Sequence, residues 1–254
     1  PYKTMNFGFE ANIIRALGKI VEKNHLTRGS KPVYWCPDCK SALAEAEVEY
    51  FDKESKSIDF LFPISSENAI KIFAKDYKQP IYMASWTTTP WTIPSNKAIS
   101  FNPKFKYELI EINLNNNSAL ILLAENLKER TLERIGQDKF NLKESIEGNK
   151  LSGVIAKHPF LDQDSILIEG HHVTDEMGTG LVHTAPAHGL EDYHACLGMD
   201  IDFQSPVGED GKFKENIEHV AGLTLDEASI KVINILKESG LLLSKSTYRH
   251  SFPN

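Results

Sequence analysis

Residues 107–113 (YELIEIN) and 119–124 (ALILLA) are two apolar strand candidates separated by a polar turn around Asn115 to Ser118, and together they predict an antiparallel hairpin. Further short strand candidates lie at 79–86 (QPIYMASW), 165–169 (SILIE) and 179–185 (TGLVHTA). In residues 45–50, Glu45, Glu47 and Glu49 alternate with Ala46, Val48 and Tyr50, a period of two that reads as a strand with one solvated face. Helices are interspersed irregularly. One spans 9–24, with Ile13, Ile14, Leu17, Ile20 and Val21 on a single face. A short one, capped by a serine, covers 65–75, and another covers 125–136 with Gly136 as its C-cap. The last starts at Thr224, where Thr224 and Glu227 form a capping box, and ends at Gly240. This order specifies an α+β fold with a barrel-like sheet and peripheral helices, not a doubly wound parallel sheet.

The chain of 254 residues suffices for one large domain or two small ones. Its net charge of −7 argues against a broad nucleic-acid-binding face, so any such contact is small and local or depends on another domain. No apolar run approaches the roughly 18 residues of a membrane span, and nothing at the start resembles a signal peptide. Three cysteines point to a reducing compartment, and the expectation is a cytoplasmic protein without membrane association. Neither GxGxxG nor a Walker motif is present, so nucleotide hydrolysis has no local support.

Two stretches concentrate chemistry. In Ala84–Asn96 (ASWTTTPWTIPSN), Thr87, Thr88 and Thr89 are crowded by two tryptophans and two prolines. In Gly178–Gly198, Gly178 and Gly180 permit close backbone approach or positive φ. Pro186 and Gly189 keep His183 to Asp192 from forming one helix, so these two side chains meet only if a loop folds back. Three readings remain open for His183, His188 and Asp192. They suit a metal by residue type, though not by spacing. Asp192, at the start of a helix, suits an ionised anchor for a ligand ammonium group. Alternatively Asp192 caps its helix and His183 is a satisfied core histidine. Cys36 and Cys39, in CPDC, are a redox pair or half of a zinc knuckle, and Cys196 is a buried filler.

WTTTPWTIPSN and GTGLVHTAPAHGLEDY resemble the editing insertion of the isoleucyl-tRNA synthetases, a family of class I aminoacyl-tRNA synthetases, and KPVYWCPDCKSALAEAEVEY is similar to the segment leading into it. The related valyl and leucyl enzymes carry an arginine where Thr89 stands, which favours the isoleucyl family. The resemblance covers essentially the whole chain and lacks the HIGH and KMSKS signatures of the family's catalytic core, so an excised domain is expected. It implies a segment 1–50 connecting to that core, an editing core at 51–220, and a helix and strand at 221–254 returning toward it. The implied activity is hydrolysis of valyl-tRNA(Ile), and of valyl-adenylate, without the ligase active site. A second hydrolytic site is needed because isoleucine and valine differ by one methylene, worth about 1–3 kcal/mol in a pocket, a magnitude established for this enzyme family rather than read from this chain.

The resemblance also implies roles. Asp192 binds the α-ammonium, His183 sets the size limit, and Thr87, Thr88 and Thr89 serve the ester, the attacking water and the terminal adenosine. Trp86, Thr92, Asn96 and Gly180 are carried over as substrate-binding positions, with Trp86 and Trp91 also supporting the loop. Direct water attack, without a covalent enzyme intermediate, is expected. Partners are the 3′ end of tRNA(Ile) carrying valine and a small aminoacyl-adenylate, acting on a monomer that binds tRNA weakly. No cofactor is expected in this chain, with Cys36 and Cys39 as half of a structural zinc site in the full-length enzyme. The alternatives are a metal-dependent hydrolase using His183, His188 and Asp192, and a non-catalytic module recognising the tRNA 3′ end.

Overall fold

Asn6 opens the first helix, accepting from the Gly8 and Phe9 amides, so that α1 runs Phe7–Glu22 as its apolar periodicity predicts. The computed structural model describes residues 3–201 and 203–253, side chains excepted at 250, 252 and 253. The chain falls into two units, residues 1–31 and 32–254, and the expected divisions after residues 50 and 220 do not coincide with this one. In the first unit the predicted apolar face of α1 is exposed along Ile13, Ile14, Leu17, Ile20 and Val21.

The second unit begins with a small antiparallel hairpin, β1 (Trp35–Cys36) and β2 (Ser41–Ala42). The strand expected over 45–50 is not there. Residues 45–47 form a 3-10 turn because the Glu47 carboxylate reaches back 2.7 Å to accept from the Ala44 amide. Alternation of charge therefore reflected a solvated turn, and extended structure starts only at β3 (Tyr50–Ile64). Then come α2 (Ser66–Phe73), with Ser65 as its N-cap, and β4 (Ile81–Thr87). A 3-10 segment, Pro90–Ser95, separates β4 from β5 (Ala98–Phe101).

The predicted hairpin is β6 (Lys106–Leu114) with β7 (Asn117–Ala124), turning through Asn115 and Asn116 at φ 51° and 66°. A 3-10 turn (Glu125–Leu127) leads into α3 (Lys128–Arg134). The remaining strands are β8 (Asn141–Glu147), β9 (Ile155–Lys157), β10 (Asp164–Glu169) and β11 (Leu181–Thr184). Short α4 (Leu190–Ala195), then α5 (Leu225–Glu238) with its predicted Thr224–Glu227 capping box, precede β12 (Leu242–Pro253).

Ten strands make one mixed sheet in the order β11-β5-β10-β9-β3-β4-β7-β6-β8, with β12 paired to β3. The order is an open path, so the barrel-like sheet is curled and has no closed ladder among the described residues. Side chains make the curl. Thr179 Oγ1 donates to Ala84 O (2.6 Å), Ser85 Oγ donates to Leu181 O (2.8 Å), and the His183 amide donates to Ser85 Oγ (3.1 Å), which fastens β11 against β4. Inside the curl lies one core including Phe60, Phe62, Met83, Phe101, Leu109 and Leu122. The buried face of α5, Ala228, Val232, Ile233 and Leu236, packs behind Pro90–Ser95 and supports that turn.

Candidate active site

The turn after β4 organises itself. Thr87 Oγ1 accepts from the Thr89 amide (3.1 Å) and exchanges a hydrogen bond with Thr89 Oγ1 (3.2 Å), while Thr92 Oγ1 donates to Thr89 O (2.9 Å). These local bonds are the hydroxyl–backbone turns that serine and threonine favour, and Pro90 fixes φ at the start of the 3-10 segment. From behind, His158 Nε2 donates to Ile93 O (2.8 Å) while its Nδ1 accepts from the Phe160 and Leu161 amides. His158 thus holds the turn, a contribution that its sequence context KHPF does not signal.

Across from this turn stands β11. A cavity of about 460 Å³ opens between them, lined by Trp86, Thr87, Thr88, Thr89, Thr92, His183, His188 and Asp192 among others. Both dense sequence stretches therefore meet at one place. Within the turn, Thr88 is the threonine whose hydroxyl has no partner among the described residues, whereas Thr87 and Thr92 each bond Thr89.

His183 is buried and fully hydrogen-bonded. Asn96 Nδ2 lies 2.8 Å from both Ala98 O and His183 Nδ1. The carbonyl accepts only, so the amide nitrogen must donate there, and Nδ1 must accept. The ring proton is then on Nε2 and is given to Thr92 Oγ1 at 2.9 Å, whose own proton goes to Thr89 O. Burial pushes the His183 pKa down to about 3, so the ring is neutral and both nitrogens are committed. His183 is a shaped wall, not a base.

Asn96 is 0 % exposed, and its Oδ1 accepts from Ser165 Oγ at 2.5 Å. It stands behind His183 and not in the cavity, so its predicted contact with substrate is corrected to holding His183. Gly180 likewise does not line the cavity. At φ 80° it brings β11 so close to β7 that a Cβ there would lie 2.3 Å from Ala124 Cβ.

Asp192, on the first turn of α4, accepts from the Ala185 amide through Oδ2 (2.8 Å), closing the predicted fold-back loop. The side chain spans its loop and does not cap its own helix. Burial raises the Asp192 pKa above the ordinary carboxylate value, opposed by the Ala185 hydrogen bond. His188 lines the same cavity with Nε2 2.8 Å from Ser95 Oγ, its ring edge-on to Trp91, and burial lowers its pKa to about 4. With both His183 nitrogens occupied, the metal reading of His183, His188 and Asp192 has no ligand set to stand on, and no group of three or more His, Cys, Asp or Glu forms one among the described residues.

The far wall is the strap between β10 and β11, which the sequence reading left unassigned apart from its glycines. His172, Thr174, Met177 and Gly178 reach the cavity from it. Two groups of long side chains anchor it. Arg134 on α3 makes a bidentate pair with buried Asp59 (2.6 and 2.8 Å) and donates to Gly178 O, which Thr131 Oγ1 also reaches. Tyr107, buried and held well above its ordinary pKa by desolvation, donates to Gly180 O at 2.8 Å. The sequence signal of the strap is its histidine pair, His171 and His172, five residues before GTG.

Cys36 and Cys39 sit at the β1–β2 turn, where the Cys39 amide donates to Cys36 Sγ at 3.3 Å and lowers the Cys36 pKa. The pair fits half of a tetrahedral thiolate site, and the described residues bring no third ligand to it. Cys196 is fully buried, its pKa raised to about 11 by burial.

The fold recurs in solved structures. The chain matches the editing domain of the P. knowlesi cytosolic leucyl-tRNA synthetase with a TM-score of 0.57 and 10% identity, over 76% of this chain and 97% of that one. A P. falciparum cytosolic leucyl-tRNA synthetase editing domain gives a TM-score of 0.54 at 11% identity, over 77% and 99%. In sequence, the isoleucine–tRNA ligase of Shewanella sp. (strain MR-4) is 44% identical over the whole of this chain, and that of strain W3-18-1 is 43% identical. The chain spans 27% of the length of these relatives. The family model for class I tRNA synthetases (I, L, M and V) matches residues 1–232, and the chain belongs to that family.

Proposed function

We propose that the cavity hydrolyses the ester of valine wrongly attached to tRNA(Ile), and accepts valyl-adenylate as a second substrate. One observation carries this. A single cavity joins a carboxylate with one oxygen uncommitted, a neutral histidine wall and threonine hydroxyls, and the His183–Thr92 hydrogen bond runs from ring to hydroxyl, the wrong direction for a base. Asp192 Oδ1 takes the α-ammonium, and the rigid His183 edge excludes a side chain longer than that of valine. The free Thr88 hydroxyl meets the ester or the attacking water, and Trp86 Nε1, buried without a partner, donates to an acceptor of the ligand.

The ester needs no enzyme nucleophile. Water adds to the carbonyl carbon, the carbon–oxygen bond to the ribose breaks, and the ribose oxygen leaves with a proton, the neighbouring ribose hydroxyl assisting. Positioning and charge stabilisation lower the barrier. The isoleucine–tRNA ligases that resemble this chain support isoleucine tRNA as the partner. The rest of the proposal is a cytoplasmic monomer that takes only the single-stranded 3′ end, with zinc on Cys36 and Cys39 only if ligands come from beyond this chain.

The test is release of valine from Val-tRNA(Ile) by this chain. Asp192→Ala is expected to slow it by about tenfold to a hundredfold, the worth of a hydrogen bond to a charged group. Exhaustive chelation is expected to leave the rate unchanged. A wild-type rate equal to that of Asp192→Ala, or loss of activity on chelation, contradicts the proposal.

A further inference from the structure

Among the described residues, two buried side-chain polar atoms lack a hydrogen-bond partner, Trp86 Nε1 and His172 Nε2. Both residues line the cavity that holds Asp192 and His183. Leaving a buried polar atom unpaired costs about 1–3 kcal/mol, and native proteins rarely tolerate it without a purpose. Two such atoms on residues that line one cavity point to hydrogen bonds that a ligand completes once a small side-chain movement uncovers them.

The His172 ring is held in place. A Cβ on Gly170 would come 2.8 Å from the ring's Cε1 and 2.9 Å from Ser100 Cβ, so the glycine leaves room for the ring where it lies. The turn is pinned as well. The Gly170 amide donates to Phe101 O, the Val173 amide to Gly170 O, and Asn102 Nδ2 to Val173 O. Of the histidines lining the cavity, His183 has both nitrogens committed and His188 Nε2 is bonded to Ser95. His172 and Asp192 line the same cavity.

We propose that His172 is a substrate-contacting residue whose Nε2 accepts a hydrogen bond from the α-ammonium of the bound aminoacyl group, beside Asp192. This rests on the aminoacyl-ester reading of the cavity. An ammonium group has three donors and no acceptor. Asp192 offers the one oxygen that Ala185 leaves free. An unprotonated imidazole nitrogen is an acceptor that brings no second negative charge into the cavity, where burying one would be costly. The pair reads the amine as an amine, and so refuses acyl esters that lack one.

The test uses two non-hydrolysable ligands, 3′-valylamino-3′-deoxyadenosine and the same amide with hydrogen in place of the α-amine. Their affinities for this chain are measured in wild type, His172→Ala, His172→Phe, His172→Gln and Asp192→Asn, with thermal unfolding to confirm the fold. Both His172→Ala and His172→Phe are expected to weaken the amine ligand about tenfold or more, and to leave the deaminated ligand within about twofold. Should the alanine variant fail to fold, the phenylalanine variant fills the space and carries the comparison. His172→Gln, whose amide oxygen accepts, is expected to restore part of the affinity. Unchanged amine-ligand affinity, or equal loss for both ligands, overturns the role of His172. If Asp192→Asn still loses the amine ligand in that case, the site reading stands without His172. If wild type does not bind the amine ligand, or Asp192→Asn binds it equally well, both fall.

Discussion

Asp192 is buried at a cost to its ionised form. Its folded pKa is raised by burial above its unfolded value, so the fold favours the protonated form. The stability this confers is present below the unfolded pKa and is lost as pH rises through the folded pKa. Asp192→Asn, which stays neutral and still offers an oxygen to the Ala185 amide, is therefore expected to melt at or above the wild-type temperature at pH 7. The difference should shrink as the pH falls below the folded pKa. A wild type that is the more stable at pH 7 contradicts this. Asn96 behaves oppositely. Asn96→Ala strands Ser165 Oγ, Ala98 O and His183 Nδ1 together, and its expected cost is about 2–4 kcal/mol in urea unfolding, without any change to a cavity-lining atom. A cost under about 1 kcal/mol would show that the lock on His183 is weaker than its geometry. The candidate residues Thr87–Thr89, His183 and Asp192 were visible in the sequence because each belongs to a dense local pattern. The correct role of Asn96 was not, since its partners stand 69 and 87 residues away.

At the scale of elements, capping boxes, the Asn115–Asn116 turn and the Gly136 and Gly240 stops were legible because each is decided by neighbours within a few residues. Residues 45–47 misled for the same reason in reverse: the alternation was there, but one carboxylate-to-amide bond turned the chain. The strap that forms the far wall was illegible. Its anchors, Arg134, Thr131 and Tyr107, lie 44, 47 and 73 residues from the carbonyls they hold. Arg134→Met removes the partner of a carboxylate with 1% of its side chain exposed, so a loss of about 3–5 kcal/mol is expected. Hydrogen exchange should then quicken at Gly178–Leu181 before it does in β6 and β7. Unchanged exchange in the strap would mean that Arg134 serves only Asp59.

Across the whole molecule, the α+β class and the barrel-like sheet followed from short strands and scattered helices, but the means of the curl did not, because hydroxyls of Thr179 and Ser85 fasten β11 to β4 across 95 and 96 residues. That curl is what brings the threonine turn and β11 to face each other. The net charge of −7 fits a molecule that receives one chain end and leaves the nucleic-acid body to other surfaces. The central claim is a size sieve built on the locked ring of His183, and its most direct measurement is the ratio of hydrolysis rates on Val-tRNA(Ile) and Ile-tRNA(Ile). Wild type is expected to favour the valyl ester by at least about tenfold, and His183→Ala to narrow that ratio by admitting isoleucine while still hydrolysing the valyl ester. A ratio that His183→Ala leaves unchanged would contradict the account.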